Sequence, residues 1–232
     1  MQDSSAYQAF AKQKLGITYD NIQLLITAFT HRSYVNEHKK TVNEHNERLE
    51  FLGDAVLELV TTEFLFTNHS EPEGILTNWR SSLVRTESIS AAAARCGFEP
   101  MLRLSRGEKR GTERARAQIL ANTFEAVIGS IYLDKGYEAA KKFITENLLV
   151  TFQDILESGS WMDPKSHLQE MAQSRDGHTP VYKVLSEEGP DHDKIFTVGV
   201  FVNGALKGQG TGPSKQTGQQ RAAEAALKTY ES

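Results

Sequence analysis

The sequence predicts two parts of different class: an all-α region over residues 1–157 and a small α+β module over 163–232, joined by a linker at 158–162. Three observations carry this division. Residues 46–60 and 118–133 each read as a long, mostly apolar helix. Beyond residue 180 the pattern becomes that of strands, over Pro180–Glu187 and Lys194–Val202, with Asn203-Gly204 marking a tight hairpin. Between the two parts, Glu157-Ser158-Gly159-Ser160 is small and polar, the composition of a linker.

The first long helix carries Glu47, Glu50 and Asp54 at i, i+3 and i+7, which places all three carboxylates within an arc of about 60°. Like charges stacked this way repel, so a cation is expected beside them. A hard divalent ion suits several carboxylate oxygens at once. The competing reading is a surface helix with a solvated acidic stripe. Against it, Leu49, Phe51, Leu52, Val56, Leu57 and Leu59 predict a mostly buried helix. Gly53, mid-helix at a cost of about 1 kcal/mol relative to Ala, marks a neighbour that approaches closely. Glu58 shares the acidic stripe and reads as a solvated bystander.

In the second long helix, Gln118 to Leu133, Glu125 is the only acid. A carboxylate inside such a helix is expensive to desolvate unless a cation or a metal meets it. Asn122, three residues earlier, shares its face. Two arrangements satisfy this: a buried Glu125–Arg48 ion pair with Asn122 capping nearby backbone, or a metal site. Two packed helices that both present oxygen atoms form a plausible cleft for an ion.

The α+β module opens with Asp163-Pro164, an N-cap followed by the favoured first-turn proline, and a short helix to about Gln173. After the two strands a third runs to about Gly210, Gly210-Thr211-Gly212-Pro213 reads as a loop, and Ser214 caps a final alanine-rich helix. The predicted order is α-β-β-β-α.

Composition narrows the class. Net charge is −4, which favours solubility. With Cys96 as the only cysteine, an intrachain disulfide framework and a cysteine-based zinc site are excluded. No apolar run reaches membrane-spanning length, and Met1-Gln2-Asp3-Ser4-Ser5 lacks the pattern of a leader, so the expected compartment is cytoplasmic, with no membrane partner.

The stretch Glu47-Arg48-Leu49-Glu50-Phe51-Leu52-Gly53-Asp54 resembles the signature of ribonuclease III, the double-stranded RNA endonuclease. Thr30-His31-Arg32-Ser33-Tyr34, Glu73-Gly74 followed by Leu76, and Ala121 to Asp134 extend the resemblance over nearly all of residues 20 to 140. It implies Glu50 and Glu125 as ligands for Mg²⁺, with Mn²⁺ as a substitute, and Asp54 with Glu125 as the catalytic acids. Glu47 would be a further acid at the rim. The implied reaction leaves 5′-phosphate and 3′-hydroxyl ends with short 3′ overhangs and serves the processing of ribosomal and other RNA, with no small-molecule substrate. Phe51 matches an aromatic that plugs a socket on the other subunit of a homodimer, although its spacing alone reads as a core aromatic.

One position departs from the family. Asn122 stands where an aspartate is usual, and an amide oxygen can bind a hard cation but brings no charge. The expectation is a working site with a higher metal requirement. The alternatives are a catalytically weak or inactive RNA-binding protein of the same fold, or a structural component of a ribonucleoprotein particle.

The α-β-β-β-α module, with Lys165-Ser166-His167-Leu168-Gln169-Glu170 at its start and Ser214-Lys215 before Ala222-Ala223-Glu224-Ala225-Ala226, resembles the double-stranded RNA-binding domain. Such domains read A-form shape across two minor grooves. The match implies Ser166, Gln169 and Glu170 at one groove, His192 at the next, and Lys215 on the phosphates between; singly, each is more often a solvated side chain, and only their joint spacing argues otherwise. The family's basic cluster is thinned to Lys215-Gln216-Thr217, and from Trp161 to Ser232 eight Lys and Arg face nine Asp and Glu. Modest RNA affinity is expected. Arg103, Arg106, Lys109, Arg110, Arg114 and Arg116 precede the second helix and read either as a run that steers RNA or as a flexible charged loop.

Overall fold

The computed structural model describes residues 4–159, 161–190 and 194–231, which form two compact units dividing between Trp161 and Met162. The first unit is helical. Helix α1 (Ser4–Phe10) runs into a π-helical turn, and α2 (Ile22–Ala28), α3 (Arg32–Glu37), α4 (Glu47–Asn68), α5 (Glu73–Val84), α6 (Thr86–Arg95), α7 (Glu113–Lys135), α8 (Tyr137–Asn147) and α9 (Phe152–Glu157) follow.

Helix α7 is the centre. Thr112 starts it by accepting a hydrogen bond from the Ala115 amide, and Gly136, at φ 81°, ends it. Between Ile119 and Ile131 almost every side chain is buried, because α2, α4, α6 and α8 all pack around this one helix. Thr123 and Ser130 are tolerated there because each hydroxyl donates to a carbonyl of the preceding turn. A line of rings, Phe29, Phe98, Phe124 and Phe143, crosses the core with centroids 5.0, 5.9 and 5.2 Å apart.

The close approach inferred at Gly53 is the crossing of α4 and α7. A Cβ at Gly53 would lie 1.7 Å from the Glu125 carbonyl oxygen, and one at Gly129 would lie 2.3 Å from that of Leu49. The two helices therefore touch backbone to backbone.

Helix α4 is less buried than its apolar content predicts. Phe51, Leu59 and Phe66 are 82, 58 and 78% exposed and, with exposed Ala55 and Thr62, form a stripe along the face turned away from α7. An apolar residue can only be buried by what covers its face, and none of the described residues covers that one. Glu58 is not a solvated bystander, since Arg80 reaches it at 3.1 Å. The first unit also runs past residue 157: Trp161 packs edge-on against Trp79, with centroids 5.8 Å apart. Among the described residues no helix is long and apolar enough to cross a membrane.

The second unit comprises α10 (Pro164–Asp176), β1 (Val181–Glu188), β2 (Ile195–Val202), β3 (Ala205–Gly212) and α11 (Lys215–Glu231). Asp163 caps α10 by accepting from the Ser166 amide. The strands form an antiparallel sheet in the order β1-β2-β3. Asn203 and Gly204, at φ 50° and 77°, make the two-residue turn that suits the right-handed twist of a hairpin. Strand β3 continues to Gly212, where Phe196 pairs with it, so the loop expected from Gly210 is part of the sheet. One sheet face is covered by α10 and α11, enclosing Leu168, Ala172, Val200, Val202, Ala222, Ala223 and Ala226.

Candidate active site and RNA-binding surface

The Gly53–Gly129 crossing decides what faces what. Gly53 abuts the backbone of Glu125, so Glu50 and Asp54, on the acidic stripe of α4, come within electrostatic reach of the Glu125 carboxyl. Burial first, then the charges of Asp54 and Glu50, push Glu125 up to about 8 from an ordinary 4.5. Glu50, half-buried, is raised by burial and by Glu47 and Asp54, while a hydrogen bond from Asn122 lowers it. Asp54 is exposed.

None of these three carboxylates has an ion-pair partner among the described residues; Arg48 is exposed and does not meet Glu125, which removes the ion-pair arrangement. Nor do the acids close into a cage, since no group of three or more His, Cys, Asp or Glu among the described residues could hold a metal ion as it stands. The set still fits Mg²⁺: all donors are oxygens, and Mg²⁺ keeps several waters and takes only one or two carboxylates directly.

Two predicted ligands have side-chain partners. Glu47 sits 3.3 Å from Arg32 and 3.8 Å from His45, so it is an ion-paired acid at the margin. That pairing explains part of the Thr30–Tyr34 motif. His31 caps α3, the Thr30 carbonyl accepts from the Asn46 amide at the start of α4, and Arg32 reaches Glu47. Asn122 accepts from Gln118 Nε2 at 2.7 Å through its Oδ1. That bond uses one of the two lone pairs of the amide oxygen and leaves the other for an ion.

In the second unit, Ser166, Gln169 and Glu170 share one exposed face of α10. His192 lies outside the described residues. Lys215 opens α11, where Ser214 accepts from the Thr217 amide, but its ammonium is 3.2 Å from Glu187 and lies over the Phe196 ring. Glu187 was not legible as a partner, because it lies on another element 28 residues earlier. Gln118 was legible in principle, standing one helical turn before Asn122. The basic run divides: Arg103 is fixed by Thr30 at 3.0 Å and by the Tyr34 ring, and Arg116 is paired with Glu99, whereas Arg106, Lys109, Arg110 and Arg114 are exposed.

Helices that bring acids together, followed by an α-β-β-β-α module, define a class: a helical nuclease unit with an appended double-stranded RNA-binding motif. Residues 21–152 match the family model described as ribonuclease-III-like, and residues 164–230 match the double-stranded RNA binding motif. The chain is 44% identical over 222 residues to Ribonuclease 3 of Enterococcus faecalis, covering 94% of this chain and 95% of the relative. It is 42% identical over 228 residues to Ribonuclease 3 of Pelotomaculum thermopropionicum, covering 98% and 95%. Among solved structures it is similar to a nuclease domain of ribonuclease III from Campylobacter jejuni, described for flexibility in its region involved in dimer formation. That match has a TM-score of 0.53 and 36% identity, over 60% of this chain and 96% of the other. This chain belongs to the ribonuclease III family and is a double-stranded RNA endonuclease.

Proposed function

We propose that this endonuclease is magnesium-dependent, with Mn²⁺ as a substitute, and hydrolyses both strands of an RNA duplex as a homodimer. The products carry 5′-phosphate and 3′-hydroxyl ends with short 3′ overhangs, and the setting is cytoplasmic processing of ribosomal and other RNA. The observation that carries this reading is the meeting of Glu50, Asp54 and Glu125 across the α4–α7 crossing with no side-chain cation paired to them among the described residues. Mutually repelling carboxylates, one of them largely buried, are stabilised by a hard cation.

Glu50 and Glu125 would hold the ion, and exposed Asp54 would face the RNA strand beside them. When bound, the ion supplies a nucleophile from water at neutral pH and neutralises charge on the phosphate and the departing 3′ oxygen. Glu125 must give up its proton to act as a ligand, so loading improves as pH rises toward its raised pKa of about 8.

Exposed Phe51 supports the homodimer. A groove of about 940 Å³ that Phe51 borders is lined by Leu24, Leu49, Leu52 and Leu133 together with charged Glu44 and Arg48. In a two-fold pair one patch offers both knob and socket, and the stripe from Phe51 to Phe66 continues that patch. The Campylobacter relative, whose nuclease domain has a region involved in dimer formation, is consistent with this arrangement.

Digestion of a long perfect RNA duplex across a magnesium titration, with analysis of product ends, tests the reading. Cleavage is expected to require the ion and to leave 5′-phosphates. Undiminished cutting in chelator, or 2′,3′-cyclic phosphate ends produced by the ribose hydroxyl, would overturn it.

For the RNA-binding unit, Lys215 must exchange Glu187 for a phosphate, so its gain is small. Glu187→Gln is expected to bind duplex RNA a few-fold more tightly at low salt. The slope of log K against log salt should change little, because Lys215 makes the same phosphate contact in both proteins and only the cost of leaving Glu187 is removed. Unchanged affinity at low salt would show that Lys215 does not contact the backbone.

A further inference from the structure

We propose that the helix-free face of the β1-β2-β3 sheet is a docking surface for a second copy of this chain, the two sheets packing face to face about a two-fold axis. None of the residues involved belongs to the α4–α7 cleft. Side chains alternate between the faces of a sheet, so the strand register sorts them. Val198, Val200 and Val202 of β2 are buried on the face that α10 and α11 cover. The opposite face carries Val181, Leu185, Ile195 and Leu206, which are 52, 44, 52 and 46% exposed. Phe201 pairs with Val181 on one side and Leu206 on the other. A Cβ at Gly199 would lie 2.9, 3.0 and 3.2 Å from the side chains of Leu206, Leu185 and Phe201, so these three form one apolar floor over that glycine.

The charges on this face identify the occupant. Lys183, whose ammonium lies over the Phe201 ring, stands toward one end of β1, and Glu188, which accepts a hydrogen bond from Ser186, stands at the other. Glu187 points the opposite way, to Lys215 of α11. Among the described residues, Lys183 and Glu188 are the charged groups of the face and neither has an ion-pair partner. On β2, Gly199 lies opposite Lys183 and Ile195 lies opposite Glu188. A two-fold axis between the sheets and across the strands reverses β1 over its counterpart. Lys183 then faces Glu188 of the partner subunit, and Ile195 lands on the apolar floor around Gly199 of the partner subunit. One patch thus offers cation and anion, knob and floor, which is the self-complementarity of a two-fold interface. Three strands of eight residues put about half their side chains on one face, fewer than the roughly 20–30 residues a side of a standard interface, so the contact is weak. The RNA-facing residues of α10 and Lys215 lie on the helix side, so a duplex and the second copy do not compete for one surface.

Ser186 lies beside the midpoint between Lys183 and Glu188, so in the pair it stands near its own copy, across sheets about 10 Å apart. The experiment treats full-length Ser186→Cys protein with a bis-maleimide whose spacer spans about 10 Å and measures the covalent dimer. The parent, whose only cysteine is buried Cys96, is the blank. A covalent dimer is expected from Ser186→Cys. Adding Lys183→Glu or Glu188→Lys sets like charges against each other at both ends of the pair and is expected to cut the yield about tenfold. Combining the two exchanges reverses both ends together and should restore the yield to within about twofold. Leu206→Gln, which leaves the charges alone and spoils the apolar floor, should lower it as well. Lys183, Glu188 and Leu206 are exposed, so the fold tolerates these changes, and melting temperatures close to the parent's verify it.

Equal yields from the single and the combined exchanges would overturn the proposal, because the cross-link would then report only the nearness of two tethered units. A combined exchange that fails to restore the yield would also end it. Absence of any covalent dimer from Ser186→Cys would do the same and leave the face to a different partner. Magnesium-dependent cleavage uses none of these residues, so the pairing of sheets and the reading of the metal site stand or fall separately.

Discussion

Glu125→Gln is expected to give a protein that binds duplex RNA as the parent does and fails to cut it. The substitution preserves volume and removes a charged ligand from the α4–α7 cleft, while the RNA-binding unit keeps its exposed α10 face. Loss of groups that merely support ligands typically costs about 10–100-fold, so loss of a ligand should lower cleavage by more than about 100-fold. Cutting at the parental rate by the Glu125→Gln variant would end the site assignment.

The same variant has a stability signature whose sign is set by the position of Glu125. Its pKa rises from 4.5 to about 8, chiefly through burial and then through Asp54 and Glu50, so the native state holds this proton more tightly than the unfolded chain. The associated stability is fully present below the unfolded value and is lost as pH rises through about 8. In chelator, the melting temperature of the Glu125→Gln protein relative to the parent should therefore climb across that window. Magnesium should reverse the difference by stabilising the parent alone. A relative melting temperature that falls with pH would contradict the buried, crowded placement of this carboxyl.

The largest effect on folding is expected at Gly53. Intrinsic helix propensity favours Ala over Gly by about 1 kcal/mol, so an uncrowded helix would gain from Gly53→Ala. The crossing predicts the reverse. The new methyl would sit 1.7 Å from the Glu125 carbonyl oxygen and 2.9 Å from the Gly129 amide, backbone atoms that no rotamer change can move. Overpacking costs typically about 1–3 kcal/mol when side chains can yield, and here the loss should reach about 3 kcal/mol or more. Gly129→Ala, blocked by the Leu49 carbonyl at 2.3 Å, should follow. Gly74, where an added methyl would meet nothing within 4 Å, is the control, and its replacement by Ala should be neutral or stabilising. Urea denaturation ranks the three. A neutral Gly53→Ala would mean that α4 and α7 do not touch there. Because the obstructed atom belongs to Glu125, the same change should also weaken metal binding.

Much of this architecture can be read in the chain. The two long helices, the α-β-β-β-α order, the Asp163 cap and the Asn203-Gly204 turn all rest on contacts within a few residues, and all appear near their expected places. So does the close neighbour at Gly53. Phe51 and Leu59 were harder, because periodicity shows which face of α4 is apolar and says nothing of whether that face is covered. The pairings of Glu47 with Arg32, Glu58 with Arg80 and Lys215 with Glu187 join separate elements, and no spacing rule reaches them.

By itself the sequence determined the inventory: which segments coil, which extend, and that Glu47, Glu50 and Asp54 share one helical face while Asn122 and Glu125 share another. Those relations follow from about 3.6 residues per turn and need no partner. Only the tertiary structure decided that the two faces meet and that Glu47 is drawn off by Arg32. The reason is one of distance. Helix geometry sets neighbours at i+3 and i+4, but the approach of two helices is set by where their backbones can touch, and here that is where both residues are glycine.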